Sequence, residues 1–368
     1  MQKKFIIPII VAVSSILFLV LYQDKIISKV NVAEDFWSER KITNPPIYEQ
    51  NITKFVHVRD LADINQKRKQ LINYVWEKDT MDNNLPDQII PNFIDSRFSD
   101  LENLDRIERI EIKMDKGVDS IAYHFIPKSS NQKLMIYHQG HDGDFIMGKK
   151  TINYFLKNDY AVLALSMPLL GQNNKPIVDT EFGKMQLLTH KYFELLESPD
   201  FTPIIFFLQP VNISLNYLEK NYNYDEYDIV GISGGGWTAT VYSAIDERIS
   251  KSFSVAGSVP FFLRTTDDNI GDYEQINPNF YRIADYLDLY IMDSSGNNRK
   301  AIQIFNVYDP CCYYGDKFDV YGDVVKNTVT KINSGYFEIY LDKTARQHEI
   351  SDYALKIISS ELEENPKH

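Results

Sequence analysis

The chain has 368 residues, of which 44% are hydrophobic, and it carries a formal net charge of -12 at pH 7. This hydrophobic share over this length is enough for one large core, so one large domain with small additions is favoured over two equal domains. The acidic balance excludes nucleic acid as a partner, because neutralising phosphates requires a basic face.

The first segment has the pattern of a membrane anchor. Residues Phe5 to Tyr22 contain no charged residue, and about 18 apolar positions are just enough to span a bilayer. No small-x-small cleavage site stands out near its end, so residues 1–23 are expected to be an uncleaved anchor, with a cleaved signal peptide as the alternative. Lys3 and Lys4 predict a cytoplasmic amino terminus and a single-pass protein whose bulk lies on the extracytoplasmic side. Cleavage would instead give a secreted protein.

Residues 24–104 are interpreted as a linker followed by a helical extension. Pro45 and Pro46 mark the linker. From Asp60 to Trp76 apolar residues recur at helical spacing, which predicts an amphipathic helix that leans on the core. These apolar residues are Leu61, Ile64, Leu71, Ile72 and Val75. No functional role is expected for the extension.

From about residue 105 the pattern changes to strands that alternate with helices. Two alternating stretches predict an opening hairpin, Ile107–Met114 and Ser120–Ile126, with a turn at 115–117. Apolar runs predict buried strands at Lys133–His138, Tyr160–Met167, Tyr227–Ser233, Lys251–Ala256, Ala301–Val307 and Tyr336–Leu341. The helices predicted between them are Thr151–Lys157, Thr202–Leu218, Trp237–Ile245, Val320–Ile332 and Ser351–Leu362. This alternation predicts an α/β domain over residues 105–365, in which a mostly parallel sheet carries helices on both faces.

The sharpest motif is a G-x-S-x-G pattern at Gly231 to Gly235, between an apolar strand and a helix. Both flanks are needed before the motif indicates a nucleophilic serine on a strained turn. Ser233 is therefore the predicted nucleophile, and the amide of Gly234 is the first predicted donor to a developing oxyanion. The alternative is a glycine-rich turn in which the serine only caps the helix.

Three segments together make the chain resemble the α/β-hydrolase superfamily over roughly residues 105–362. They are Gly231–Trp237, the loop Tyr137–Gly143 and the downstream Val255–Ser258. The resemblance is strongest to the dienelactone-hydrolase and acetylxylan-esterase-like branch. It implies a catalytic triad in the chain order serine, acid, histidine. Separately, residues at about 169–200 and 259–300 interrupt the alternation of strands and helices beyond the ends of core strands, and they are expected to be cap insertions that cover the site.

A serine nucleophile needs a base, and histidine is the usual one because its pKa lies near working pH. Only His348 and His368 follow Ser233 in the chain, and His368 is the last residue, where chains fray. His348, directly before the final predicted helix, is therefore the predicted base, with a surface or capping role as the alternative.

The base needs an acid that fixes its orientation. Asp309 comes directly after the predicted strand Ala301–Val307 and is the favoured acid. Asp316 lies one short loop further on and is the alternative.

The resemblance also implies that the loop His138–Gly143 supplies a second oxyanion donor. This loop departs from the HGGG form of lipases, so Gln139 and Gly140 are favoured and His141 stays open as a third possibility. Losing one such donor typically costs about 10²–10³ in rate. His141 and Trp237 are also candidates for substrate binding.

Neither a metal nor another cofactor is predicted. The loop holds four possible ligands, His138, His141, Asp142 and Asp144, but no H-E-x-x-H or similar spacing accompanies them. The adjacent Cys311 and Cys312 can close only a strained ring and are expected to be reduced thiols.

The expected function is cleavage of carboxylic esters by a serine acyl-enzyme mechanism. Aromatic residues interleaved with Asp and Asn in the second insertion suit sugar rings, and the branch resemblance also implies acylated carbohydrate as a substrate. The expected partners are thus a small-molecule or carbohydrate ester, and a membrane through the first helix. A thioesterase and a catalytically inactive, membrane-tethered binding module are the alternatives.

Overall fold

The computed structural model describes residue 42, residues 44–332 and residues 335–363. The anchor predicted at residues 1–23 lies outside these ranges. Within them, no helix combines the length and the apolar character needed to cross a bilayer. The compact unit starts at Asn44, so the described residues ahead of 105 belong to the same unit as the α/β region.

Nine of the described strands form one central sheet. The strands are β1 (Gln88–Ile90), β2 (Leu104–Lys113), β3 (Asp119–Pro127), β4 (Lys133–His138), β5 (Ala161–Leu165), β6 (Ile177–Thr180), β7 (Gly183–Gln186), β8 (Glu226–Ile232), β9 (Ile249–Val255), β10 (Lys300–Asn306) and β11 (Tyr336–Asp342). Their order in the sheet is β1-β2-β3-β5-β4-β8-β9-β10-β11, and β6 and β7 form a separate hairpin.

Most of the sheet is parallel. The six strands from β5 to β11 in this order pair in parallel, whereas β1, β2 and β3 pair antiparallel at one edge. The predicted hairpin of β2 and β3 is confirmed, with a short 3-10 turn at Asp115–Gly117 between them. Parallel neighbours end at the same side of a sheet, and ligands of open α/β sheets bind at that carboxyl side.

Helices cover both faces of this sheet. They are α1 (Leu61–Trp76), α2 (Lys149–Lys157), α3 (Ile205–Asn221), α4 (Gly234–Ile245), α5 (Tyr273–Ile276), α6 (Pro278–Ile283), α7 (Tyr286–Ser294), α8 (Asp319–Ile332) and α9 (Asp352–Glu363). Strand β4 shows the two faces: Leu134 and Ile136 belong to one hydrophobic core, and Met135 and Tyr137 belong to the other. Side chains alternate between faces along a strand, so the two cores lie on opposite sides. The predicted α/β fold with a mostly parallel sheet is confirmed.

The insertion at 259–300 differs from the expected cover over the site. Its last helix, α7, is buried at every position and lies between the parallel neighbours β9 and β10. Parallel strands need a crossover connection, usually a helix that packs back on the sheet. The second half of this insertion therefore contributes to the core, and only its first half lies beyond the strand ends.

The segment in front of α1 is fastened to α7 by Asp288. The buried Asp288 carboxylate accepts the backbone N–H groups of His57 at 2.7 Å and Val58 at 3.2 Å. The ammonium of Lys67 on α1 lies 3.2 Å from the same carboxylate. A buried charge needs partners of this kind, so α1 is held by polar contacts as well as by its apolar side.

Replacing Asp288 by alanine should lower the free energy of unfolding by about 3–5 kcal/mol, because Lys67 and two N–H groups lose their buried acceptor. Asp79→Ala is the matched control, since Asp79 pairs with Lys69 of the same helix while both side chains are exposed. Removing an exposed pair should change stability by less than about 1 kcal/mol. Urea denaturation measures both, and equal losses would contradict the tethering role of Asp288.

Candidate active site

Ser233 lies at the sharp turn between β8 and α4. Its backbone has φ 56° and ψ -129°, a conformation that residues with a side chain rarely adopt and that stores strain. The neighbouring glycines allow the turn to close: a Cβ on Gly231 would overlap the carbonyl of Gly235, and a Cβ on Gly235 would overlap the carbonyl of His138. The G-x-S-x-G sequence is therefore explained by backbone approaches that only glycine permits.

The loop after β4 lies directly against Ser233. A Cβ on Gly140 would stand 2.5 Å from the Cβ of Ser233 and 3.2 Å from its Oγ. The backbone of Gly140 therefore lies close to the side chain of Ser233, in the region where a second oxyanion donor is needed.

Gln139, one of the two favoured donors, has its N–H already engaged. That N–H donates to the carbonyl of Leu165 at 2.9 Å, which extends the pairing of β4 with β5. In the described part of the chain, the N–H of Gly140 donates to no protein acceptor. Gly234 is the first residue of α4, and the first N–H groups of a helix have no partner within it. The N–H groups of Gly140 and Gly234 are therefore available as donors, and the N–H of His141 also donates to no protein acceptor in the described residues.

His348 and Asp309 form a hydrogen-bonded pair. Nδ1 of His348 lies 2.8 Å from Oδ2 of Asp309, and Oδ1 of Asp309 accepts the N–H of Cys311 at 2.8 Å. Because a carboxylate can only accept, Nδ1 carries the proton and Nε2 of the neutral ring presents a lone pair. Nε2 is buried and has no hydrogen-bond partner among the described residues. This is the state in which an imidazole can take a proton.

The three side chains come from one side of the sheet. Ser233 follows β8, Asp309 follows β10 and His348 follows β11. These strands run parallel in the order β8-β9-β10-β11, so their carboxyl ends lie along one edge of the sheet. Gly140, in the loop after β4, lies close to Ser233, and the charge of Asp142 in the same loop raises the pKa of His348. Among the described residues, no hydrogen bond joins Ser233 to Nε2 of His348.

The pKa of His348 is set by two opposing effects. Burial is the largest single effect and lowers the pKa, but the hydrogen bond and charge of Asp309, together with the charges of Cys311 and Asp142, raise it above the ordinary value of 6.5. A base of raised pKa loses its function as the pH falls through that value, so the acid side of a pH profile should report His348.

Asp316, the alternative acid, contacts another part of the chain. Its Oδ1 accepts the side-chain amide of Asn44 at 2.9 Å, and its N–H donates to Oδ1 of Asn44 at 2.9 Å. This paired contact holds the start of the compact unit, whereas Asp309 holds His348.

Trp237, a candidate for substrate binding, lies in the core rather than at a surface open to a ligand. Its side chain is fully buried, and its indole N–H donates to the hydroxyl of Tyr281 at 2.7 Å. The rings of Phe207 and Phe280 pack against it. Trp237 follows the serine turn by four residues and faces inward with its helix.

His141 lies beside the serine turn and is engaged by residues that the sequence reasoning did not select. A Cβ on Gly234 would stand 2.5 Å from Cε1 of His141, and Nε2 of His141 lies 3.0 Å from Oε1 of Glu274. Asp272 and His190 complete this group. They come from the two insertions, and no local spacing connects them, so sequence reasoning had no motif from which to find them.

No protein-family model matches the chain, and no curated protein matches it. Solved structures that are similar to it include three esterases. The first is an acetyl xylan esterase from Paenibacillus sp. R4, with 12% identity over 84% of this chain and 96% of that chain, at a TM-score of 0.53. The second is acetyl xylan esterase 1 from Thermoanaerobacterium sp. JW/SL YS485, with 14% identity over 86% of this chain and 99% of that chain, at a TM-score of 0.53.

The third similar structure is a glucuronoyl esterase from Solibacter usitatus, with 13% identity over 86% of this chain and 98% of that chain, at a TM-score of 0.55. At identities of this size the likeness concerns the fold. The domain that carries Ser233 therefore shares the α/β-hydrolase fold of these structures, which is the fold that the sequence resemblance implied.

Proposed function

We propose that the chain is a serine esterase in which Ser233 is the nucleophile, His348 the base and Asp309 the acid that orients the base. One observation carries the proposal: a strained serine turn and a hydrogen-bonded Asp309–His348 pair follow the carboxyl ends of β8, β10 and β11 in one sheet. That the solved structures of similar fold are esterases supports it further.

The reaction follows from these groups. His348 Nε2 takes the proton of Ser233 as its Oγ attacks the ester carbonyl, and the negative charge that develops on the carbonyl oxygen is stabilised by the N–H groups of Gly140 and Gly234. His348 then gives the proton to the leaving alcohol, which leaves an acyl-serine. A water that His348 deprotonates attacks the acyl-serine, and collapse releases the acid and restores Ser233.

We propose an acylated carbohydrate as the substrate class, with short acyl groups. The support is the names of the similar structures, which are esterases of acetylated xylan and of glucuronoyl groups. The aromatic residues of the second insertion support it less than expected, because most of them are buried in the domain's own core. The buried ones are Tyr273, Phe280, Tyr281, Tyr286 and Tyr290, whereas Phe261 is exposed.

The test is a comparison of four substrates with the purified protein: an aryl acetate, an aryl ester of a long fatty acid, an acetylated xylo-oligosaccharide and a short-chain acyl thioester. The proposal expects hydrolysis of the aryl acetate and the oligosaccharide. Preference for the long chain would refute the substrate class, and preference for a thioester would favour a thioesterase. A folded protein that neither hydrolyses esters nor reacts with a fluorophosphonate probe would refute the esterase and favour a binding module.

Gly140→Ala should lower kcat by about 10²–10³-fold, the typical loss of one oxyanion donor. The added methyl would stand 2.5 Å from Ser233 Cβ and 2.6 Å from the carbonyl of Ile232, so the loop must move away. Gly322→Ala on α8 is the control, since its methyl would meet only the flexible end of Ile339 at 3.2 Å. Steady-state kinetics on the aryl acetate measures both, and a wild-type kcat in Gly140→Ala would contradict the donor role.

We also propose that residues 1–23 tether the domain to a membrane, with the domain on the extracytoplasmic side. The uncharged stretch Phe5–Tyr22 supports this proposal. Fractionation of cells that express the whole chain tests it, because a tethered protein stays in the membrane fraction after an alkaline wash. Recovery of the whole chain in the soluble fraction would refute the tether.

A further inference from the structure

Four metal-ligating side chains meet beside the serine turn, outside the proposed triad. They are His141, His190, Asp272 and Glu274, and one ligand atom of each lies within 4.8 Å of the others. His141 belongs to the loop after β4, His190 to the first insertion, and Asp272 and Glu274 to the second. Glu274 and His190 are buried, while His141 and Asp272 are partly buried.

Four separations between histidine nitrogens and carboxylate oxygens lie near those expected around a four-coordinate ion, with the two histidines approaching different oxygens of Glu274. Nε2 of His141 lies 3.0 Å from Oε1 of Glu274 and 3.7 Å from Oδ2 of Asp272. Nδ1 of His190 lies 3.2 Å from Oδ2 of Asp272 and 3.6 Å from Oε2 of Glu274. Ligands at the usual zinc distances of about 2.0–2.2 Å lie roughly 3.3–3.5 Å apart in a tetrahedron, and the four separations scatter about that value.

Two of these atoms are buried without a hydrogen-bond partner. Among the described residues, neither Nδ1 of His190 nor Oε2 of Glu274 makes a hydrogen bond, and the side chains are 2% and 0% exposed. A buried polar atom without a partner costs free energy. Both atoms face the interior of the cluster, where a bound cation would satisfy them together.

The other nitrogen of His190 fixes which tautomer faces the cluster. Nε2 of His190 lies 2.7 Å from the carbonyl oxygen of Pro168, which can only accept, so Nε2 carries a proton. In the neutral ring, Nδ1 then presents its lone pair to the carboxylates of Asp272 and Glu274. A hydrogen bond from a ligating histidine to a carbonyl is the usual outer arrangement of a metal site.

We propose that these four residues bind a divalent transition-metal cation of the zinc type. Two imidazole nitrogens and two carboxylate oxygens suit zinc, whereas calcium and magnesium prefer sites made of oxygen alone. Two carboxylates also balance the charge of the ion. The group of His57, Asp285 and Asp288 differs, because the ammonium of Lys67 already lies 3.2 Å from Asp288.

The bound cation would join three separate segments of the chain at the edge of the proposed active site. The ring of His141 lies beside Gly234. By binding His141, the cation would hold the loop that carries Gly140 against the serine turn. This positioning role rests on the proposed esterase function, whereas binding of the metal does not.

The experiment measures bound zinc after the purified whole chain has been stripped with a chelator and dialysed against Zn²⁺. Wild type should bind one equivalent, and Glu274→Gln and His190→Gln should each weaken binding at least about 100-fold. Asp285→Asn in the second cluster is the matched control and should bind as wild type does. The double variant Cys311→Ser, Cys312→Ser should also keep its zinc, which separates the site from the thiols near His348.

Cobalt substitution tests the wild type itself, in case a ligand variant fails to fold. The proposal expects the visible bands of four-coordinate Co²⁺ without a thiolate charge-transfer band. Absence of bound metal, zinc retained by Glu274→Gln, or loss of zinc in the cysteine variant would each overturn the inference. In the first case the cluster would be an ion pair of protonated histidines with carboxylates. Ester hydrolysis by a protein that takes up no Zn²⁺ would refute only the metal site, and a zinc-binding protein without hydrolysis would refute only the esterase.

Discussion

Replacing Ser233 by alanine should lower kcat for ester hydrolysis by about 10⁶-fold, the size of loss seen when a triad nucleophile is removed. The reason is that no acyl-enzyme can form, so that only the oxyanion donors and substrate binding remain to assist attack by water. Labelling by a fluorophosphonate probe should disappear in the same variant. Steady-state kinetics and probe labelling of wild type and variant measure the two effects.

Ser258→Ala is the matched control for the Ser233 variant. Ser258 follows the neighbouring strand β9 and is buried, and its hydroxyl lies 3.1 Å from that of Tyr290. Its loss should leave labelling intact and change kcat little, because its hydroxyl is engaged within the core. Hydrolysis by Ser233→Ala at the wild-type rate, with both variants folded, would show that another residue carries the activity.

The elements of the fold were predictable because their signals are local. Apolar runs separated by amphipathic stretches predicted the six parallel strands to within a few residues. The alternation of apolar and polar residues predicted β2 and β3. The turn at Ser233 was predictable for the same reason, since the glycines that permit it stand next to the serine. The short edge strand β1 and the hairpin of β6 and β7 were not predicted, because three or four residues give too little pattern.

The parts of the site that the sequence left open depend on contacts between distant segments. Whether the N–H of Gln139 is available depends on Leu165 of another strand. Whether Asp309 or Asp316 faces His348 depends on the path of the loop after β10. In the structure, Asp316 instead accepts a hydrogen bond from the side chain of Asn44. Trp237 was predicted to bind substrate, but whether an aromatic side chain is buried depends on the helices that pack on it. The order of residues along the chain could rank the candidate site residues, but it could not show which of them lie in contact.

Asp309→Asn should lower kcat by about 10⁴-fold, as an asparagine at this position can donate to Nδ1 and favour the wrong tautomer of the base. It should also move the acid limb of the kcat/KM profile to lower pH. Asp309 raises the pKa of His348 against the opposing effect of burial, so removing the carboxylate lowers that pKa. The neutral, active form of His348 then persists to a lower pH, although each molecule turns over far more slowly.

Asp316→Asn separates this prediction from a general effect of charge near the site. Asp316 is a carboxylate a few residues further along the same loop, but its partner is Asn44 rather than His348. Its replacement should leave kcat and the acid limb where they are. Profiles of the wild type and both variants, recorded from about pH 4 to 9 across the range in which histidine titrates, make the comparison. A displaced limb in Asp316→Asn, or an unmoved limb in Asp309→Asn, would mean that the carboxylate which sets the protonation of the base has been misassigned.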